Sequence, residues 1–171
     1  SSRYVYTNDL INNQPVCVRI DLENGKIVAY AGPKYDISSD GRYVAGPDLN
    51  YLNATQYGYS LPDPPSGIPL QLRKSQMEEE GLWVTELETN HKQLLVSMNR
   101  FYNHAIAEDR EFYKDGVYYA FHTKFNPQGT KIMQVFRCLF NGEGRNASLF
   151  TLDADGQSII QCLSHEKWNQ K

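Results

Sequence analysis

The sequence predicts an all-β fold made of repeated units of four antiparallel strands. It contains twelve Tyr, seven Phe and two Trp in 171 residues, and these residues, mixed with Val, Ile and Thr, favour strands over helices. Short apolar runs alternate with turn residues along the chain, which is typical of strands joined by hairpins. Because four strands make up one blade of a β-propeller, the predicted fold class is an antiparallel β-propeller with four-stranded blades.

Three hairpins support this prediction. In the first, a β-branched run at residues 16–20 leads through Asn24-Gly25 to a second run at 26–30. Asn-Gly is typical of a type I′ turn, in which both central residues have positive φ. The other two hairpins are predicted to have their tips at Thr89-Asn90 and Asp155-Gly156.

A second element occurs between these hairpins. Residues 37–45 and 125–133 each read as a strand, a tight turn ending in Gly41 or Gly129, and another strand. Together the elements divide the chain, taken as one incomplete domain over residues 1–171, into about three blades at 3–31, 35–96 and 118–163. Closed propellers typically have four to eight blades. We therefore expect other blades, or a second copy of the chain, to close the ring, and the chain alone to be catalytically silent.

Two insertions lengthen the predicted units. The first covers residues 49–80 and is rich in Pro and Gly; the second covers residues 97–116 and is predicted to hold a short helix around 104–112. Long loops in a compact domain tend to carry function. Both insertions are therefore places to look for binding residues.

Composition excludes several classes of function. The formal net charge is −3, so the chain lacks the basic field that binding to nucleic acid requires. No apolar run approaches the ~20 residues of a membrane-spanning helix, and the sequence leaves the cellular compartment open. Three cysteines, Cys17, Cys138 and Cys162, form no metal-binding spacing and are predicted to be buried free thiols.

Several stretches resemble the proteins related to oligogalacturonate lyase. ISSDGRYVAGPDLNYL, QYGYSLPDP and GLWVTELETNHKQLLVSM are similar to one blade of that family, and FHTKFNPQGTKIMQVFR with SLFTLDADGQSI is similar to the next. The resemblance covers residues 35–163. It implies a propeller of about seven blades with a pocket at one end of the central channel.

The same resemblance implies an activity. Characterised members of the family cleave short, unsaturated pectin oligosaccharides by β-elimination and bind a divalent metal, typically manganese. A uronate oligosaccharide is therefore the expected ligand of the complete protein. The alternative is a non-catalytic propeller that binds a sugar or a protein partner.

His122 and Arg137 are the predicted catalytic residues. His122 lies four residues before the Asn126-Pro127 turn, where the family pattern has a histidine, and Arg137 follows the run IMQVF. Elimination from a uronate requires a base for the C5 proton, a role open to a neutral imidazole, and a positive group for the carboxylate, a role open to arginine. The alternatives are a strand histidine bonded to a carbonyl and an arginine paired with a nearby acid.

Four further residues are predicted to contact substrate. Tyr57, Tyr59 and Asp63 belong to the QYGYSLPDP match, where tyrosines could stack on sugar rings and a carboxylate could orient hydroxyls. Arg100, in the second insertion, is another candidate for contact with a carboxylate. No metal ligand is predicted, because the four histidines form no cluster in the sequence. Manganese is expected only for the complete protein.

Overall fold

The structure is a computed structural model that describes residues 3–56, 58–59, 61, 77–140 and 143–170. These residues form three antiparallel sheets in which each strand pairs with the next one along the chain. The first sheet contains β1 (Tyr4–Ile11), β2 (Gln14–Asp21) and β3 (Ile27–Tyr30). The second contains β4 (Asp36–Ile37), β5 (Tyr43–Gly46), β6 (Gly81–Glu86) and β7 (His91–Ser97). The third contains β8 (Val117–Phe125), β9 (Lys131–Phe140), β10 (Glu143–Asp153) and β11 (Ile160–Leu163).

The prediction of a mainly β chain with antiparallel units of up to four strands is thus confirmed, while the arrangement of these units as propeller blades stays a prediction. All three hairpin tips lie between paired strands as predicted, and Asn90 and Gly156 have positive φ. The prediction of a type I′ turn at Asn24-Gly25 was wrong. Only Gly25 has positive φ, and its amide donates to the Asp21 carbonyl at 2.8 Å in a longer loop.

The described residues also form four short helices, the last of which follows β11: α1 (Leu49–Thr55), α2 (Met98–Asn103), α3 (Ala107–Tyr113) and α4 (His165–Asn169). The first insertion therefore begins with a helix, which Asp48 caps by accepting from the Asn50 amide at 2.8 Å. The second insertion contains two helices: α3 is the helix predicted around 104–112, although it begins at Ala107, and α2 was not predicted. His104 is the C-cap residue of the first of them and does not begin a helix.

The second and third sheets share the main hydrophobic core. Its centre is aromatic: the ring of Phe136 lies 5.2 Å from those of Tyr113 and Tyr118 and 5.9 Å from that of Phe150. A second cluster joins α1 to the third sheet, and a third joins the first sheet to the second through Cys17, Tyr30 and Val44. Each sheet is thus packed against a neighbour. No helix in the described part of the chain is long and apolar enough to cross a membrane.

The three cysteines differ in exposure. All are free, and Cys17 and Cys138 are buried as predicted, but Cys162 is exposed. The prediction was wrong for Cys162 because it lies on β11, the last strand of its sheet, where one side faces solvent. Burial also raises the pKa of Cys17 to about 11, which keeps this thiol protonated and unreactive.

Thiol labelling tests this difference. We expect an excess of an aromatic disulfide reagent to modify one cysteine of the native protein quickly and all three after unfolding, because reaction requires an accessible thiolate. Cys162→Ser should remove the fast phase and leave two reactive thiols in denaturant. Fast modification of more than one thiol in the native protein would contradict the described burial.

Candidate functional site

An irregularity in β8 creates the candidate site. Ala120 pairs with Phe136 of β9 and Thr123 pairs with Gln134, so that Phe121 and His122 together lie opposite a single residue. This is a β-bulge, in which one extra residue redirects the side chains of the bulged strand. Consecutive strand residues ordinarily point to opposite faces. Here the rings of Phe121 and His122 lie only 3.9 Å apart, centroid to centroid.

His122 is held by Tyr35, the residue before β4. The Tyr35 hydroxyl forms a hydrogen bond with Nδ1 of His122, and the two rings meet edge to face at 5.3 Å. Burial, then the positive charges of Arg137 and Lys124, lower the pKa of His122 below its ordinary value of 6.5. Burial also raises the pKa of Tyr35. At neutral pH both members of the pair are therefore uncharged.

Arg137 approaches the same bulge from β9. Its guanidinium carbon lies 4.1 Å from the centroid of the Phe121 ring, a cation–π contact, and Nη1 donates to the side-chain carbonyl of Gln56. Tyr119 donates to the same Gln56 oxygen at 3.4 Å. Nε of Arg137 is buried and has no hydrogen-bond partner among the described residues. Among the described residues, no carboxylate forms an ion pair with Arg137.

A cleft of about 270 Å³ lies beside this cluster. It is lined by Tyr35 and Tyr59 together with Thr7, Asn8, Lys34, Leu49 and Leu61. Tyr59 is 55% exposed and meets Phe121 edge to face at 5.2 Å. Two of the lining residues contact the cluster directly, Tyr35 through His122 and Tyr59 through Phe121. The cleft therefore offers an exposed aromatic ring and polar side chains next to His122 and Arg137.

The structure brings together only some of the predicted site residues. His122, Arg137 and Tyr59 all contact Phe121. Arg100 lies in α2, and no contact of the described residues joins it to this cluster. Tyr57 and Asp63 lie outside the described residues.

Several residues of this region were not predicted from the sequence. Tyr35 and Gln56 belong to no motif, although Tyr35 is the first residue of the stretch that carries the resemblance and Gln56 immediately precedes Tyr57. Elsewhere in the fold, His165 was given no role from the sequence, yet its backbone amide donates to the fully buried Asp109 at 3.1 Å and its Nδ1 lies 2.7 Å from the other carboxylate oxygen. No sequence spacing links Asp109 to His165, since the fold alone brings α3 and α4 together.

The metal expected for the family has no ligand set in this part of the chain. Among the residues that the structure describes, no group of three or more His, Cys, Asp or Glu side chains could hold a metal ion. The described residues therefore provide no manganese site, and manganese stays an expectation for the complete protein.

Comparison with known proteins adds no relative. The chain matches no protein-family model, and no curated protein matches it at a significant level. The resemblance to oligogalacturonate lyases therefore stays a prediction based on the quoted motifs, and the chemistry of the site has to be argued from its own residues.

Proposed function

We propose that the chain is part of a carbohydrate-active β-propeller that binds uronate oligosaccharides, and that the complete protein cleaves them by β-elimination. The observation that carries this proposal is that a neutral imidazole and a guanidinium both contact the same aromatic residue, Phe121. The rings of His122 and Phe121 lie 3.9 Å apart, and the Arg137 guanidinium carbon lies 4.1 Å from the Phe121 ring centre. Elimination next to a carboxylate needs these two kinds of group at one place.

Each group has a distinct part in the proposed reaction. Arg137 binds the uronate carboxylate and stabilises the negative charge that develops as C5 loses its proton. His122 takes that proton, the C4–O bond breaks and a C4=C5 double bond forms. The glycosidic oxygen leaves with the bonding electrons and takes a proton from water, and the His122 imidazolium returns the C5 proton to solvent.

The arrangement of the sheets supports the part of the proposal that concerns the propeller fold. All three sheets are meanders, as blades are. The first strands of the second and third sheets approach each other: Asp36 of β4 accepts from the Phe125 amide of β8 at 2.8 Å and pairs with Lys124. First strands that converge are expected around a central channel.

The first sheet differs from the other two. It has three strands, and in the described part of the chain β1 has a single neighbour, β2. β1 is eight residues long, and an edge of this length is a template for pairing with a further strand. In the proposed propeller, a further strand pairs with β1 and completes a four-stranded blade.

Sugar binding by this chain tests the proposal without requiring a closed ring. We expect trigalacturonate to bind at least about tenfold more tightly than its methyl ester, because only the free carboxylate pairs with a guanidinium. Isothermal titration calorimetry with both sugars measures this ratio. Equal affinity for the acid and the ester, or no binding of either, would contradict the proposal.

His122→Ala separates the catalytic function from the binding module. In the longest form of the protein that its gene encodes, we expect the variant to lose about 100-fold or more of its activity on unsaturated digalacturonate, since a general base contributes this much. The unsaturated monomers that are released open to 4-deoxy-5-keto acids, so that net loss of the 4,5-unsaturated chromophore follows the reaction. Trigalacturonate binding should stay within about threefold of the unaltered protein. Binding without turnover in the unaltered protein would favour the non-catalytic module.

A further inference from the structure

A second cleft lies on the first sheet and has a volume of about 230 Å³. None of the described residues lines both this cleft and the one beside Tyr35. Its lining includes three basic side chains and one acidic side chain: Arg3, Arg19, Lys26 and Asp21. Basic groups therefore outnumber acidic ones here, on a chain whose formal net charge is −3.

The acid of the cleft is already bound to one of the three cations. Arg3 donates to both carboxylate oxygens of Asp21, from Nε to Oδ1 at 3.0 Å and from Nη2 to Oδ2. The bonds from Arg3, and then a bond from the Glu23 amide at 3.0 Å, lower the pKa of Asp21 to about 2. Glu23 also pairs with Arg3, at 3.1 Å. Both neighbouring acids therefore compensate the charge of Arg3.

Arg19 has no such partner, although Asp21 lies only two residues away on the same face of β2. Neither Arg19 nor Lys26 forms an ion pair with a carboxylate of the described residues. The guanidinium carbon of Arg19 lies 4.7 Å from the ring centre of Tyr4 and 5.9 Å from that of Tyr30. Contacts with ring faces hold the guanidinium over the sheet and leave its N–H donors for a ligand.

Lys26 is placed beside the cleft by its backbone. Its carbonyl accepts from the Asp21 amide at 2.9 Å, and its amide donates to Oδ1 of Asn24 at 2.9 Å. These bonds fix the point at which the lysine side chain leaves the loop between β2 and β3. The cleft therefore has two cations, Arg19 and Lys26, whose charges no described carboxylate compensates.

We propose that this cleft binds the phosphate group of a small phosphate monoester, with Arg19 donating two parallel hydrogen bonds and Lys26 supplying the second positive charge. A phosphate monoester has a charge of about −1.5 to −2 at pH 7, which matches two cations better than the single charge of a carboxylate. Arginine pairs with phosphate through its planar fork. The volume lies below the roughly 300–1,000 Å³ of sites for drug-sized ligands, which suits a compact anion. Binding here does not depend on the proposed activity on uronates.

The test is a titration of the ¹⁵N-labelled protein at constant ionic strength, followed by the amide NMR signals of β2 and of residues 22–26. The probes are glucose 1-phosphate, inorganic phosphate and galacturonate. We expect glucose 1-phosphate to bind with a Kd on the order of 1 mM, which a few charge-assisted hydrogen bonds provide. Galacturonate should bind at least about tenfold more weakly, because it has a single negative charge.

Two variants locate the binding groups. Arg19→Met keeps an unbranched side chain near the tyrosine rings but has no donor, and should weaken glucose 1-phosphate binding by about tenfold or more. Lys26→Met changes an exposed residue, so it should leave the fold intact while it also weakens binding. Arg42→Met is the matched control, because Arg42 also lies over a tyrosine ring but pairs with Glu86 at 3.6 Å. The control should bind glucose 1-phosphate as the unaltered protein does.

Several results would overturn the proposal. They are the absence of saturable shifts in β2 with glucose 1-phosphate, equal affinity for galacturonate, and equal weakening by Arg19→Met and Arg42→Met. Binding of inorganic phosphate alone would also contradict it, because the cleft would then select the free ion and exclude the monoester. Trigalacturonate binding is measured separately, so its failure would count against the proposed function and leave this site to be decided by the phosphate titration.

Discussion

Arg137→Met is expected to weaken trigalacturonate binding between about 10-fold and 100-fold, which corresponds to the loss of a charge-assisted hydrogen bond of roughly 1.5–3 kcal/mol. Methionine keeps a long side chain over the Phe121 ring but has no donor. The free energy of unfolding should fall by only about 0.5–1.5 kcal/mol, because the bond from Nη1 to Gln56 is lost while Tyr119 still donates to the same oxygen. Calorimetric titration and thermal unfolding measure the two effects separately.

Arg42→Met is the matched control for Arg137. Arg42 also lies over an aromatic ring, with its guanidinium carbon 5.3 Å from the centroid of Tyr43, but its contacts belong to the second sheet and include Glu86 at 3.6 Å. We expect this variant to bind trigalacturonate as the unaltered protein does. If both arginine variants weakened binding equally, the effect would reflect net charge, and Arg137 would have no specific part.

Arg137→Lys refines the same test. Lysine keeps the positive charge but lacks the planar fork that pairs with a carboxylate through two parallel bonds. The variant is expected to fall between the unaltered protein and Arg137→Met in affinity for trigalacturonate. Full affinity in the lysine variant would show that binding depends only on the positive charge at this position.

Strand patterns could be predicted from the sequence because their signals are local. The β-branched runs and the glycines at 41, 129 and 156 determine strand and turn directly, and the structure has strands on both sides of each of these turns. The type I′ turn at Asn24-Gly25 was wrongly predicted because a side chain also takes part in the loop. The Asp21 carboxylate accepts a hydrogen bond from the Glu23 amide at 3.0 Å. The longer loop that results does not need positive φ at Asn24.

The candidate site could be predicted only in part, because its geometry depends on contacts between distant residues. His122 and Arg137 were found through a motif, but the β-bulge that turns Phe121 and His122 together leaves no mark on residue composition. The Tyr35 bond to His122 spans 87 residues and the Gln56 bond to Arg137 spans 81. Pairings over such separations arise from sheet packing, which no short sequence pattern records.

The largest loss of stability is expected from Asp109→Ala. Asp109 is completely buried in α3 and accepts hydrogen bonds from three other elements: the Ser148 hydroxyl of β10 at 2.7 Å, the Gln161 amide of β11, and His165 at the start of α4. Alanine would remove the acceptor that the buried Ser148 hydroxyl and the partly buried Gln161 and His165 side chains share. Breaking a buried polar network by removing one partner costs about 3–5 kcal/mol.

Urea unfolding followed by tryptophan fluorescence measures the free energy of unfolding of this variant. Glu108→Ala is the matched control, since Glu108 is the preceding residue of the same helix and is exposed, and it should change stability by no more than about 0.5 kcal/mol. Asp109→Asn keeps the shape but presents an NH2 group to some of the donors, so its loss should be intermediate. Faster amide exchange in α4 than in β9 would show that the helix is released first. A loss below about 1 kcal/mol for Asp109→Ala would mean that water satisfies the donors and that Asp109 does not hold α3 and α4 to the third sheet.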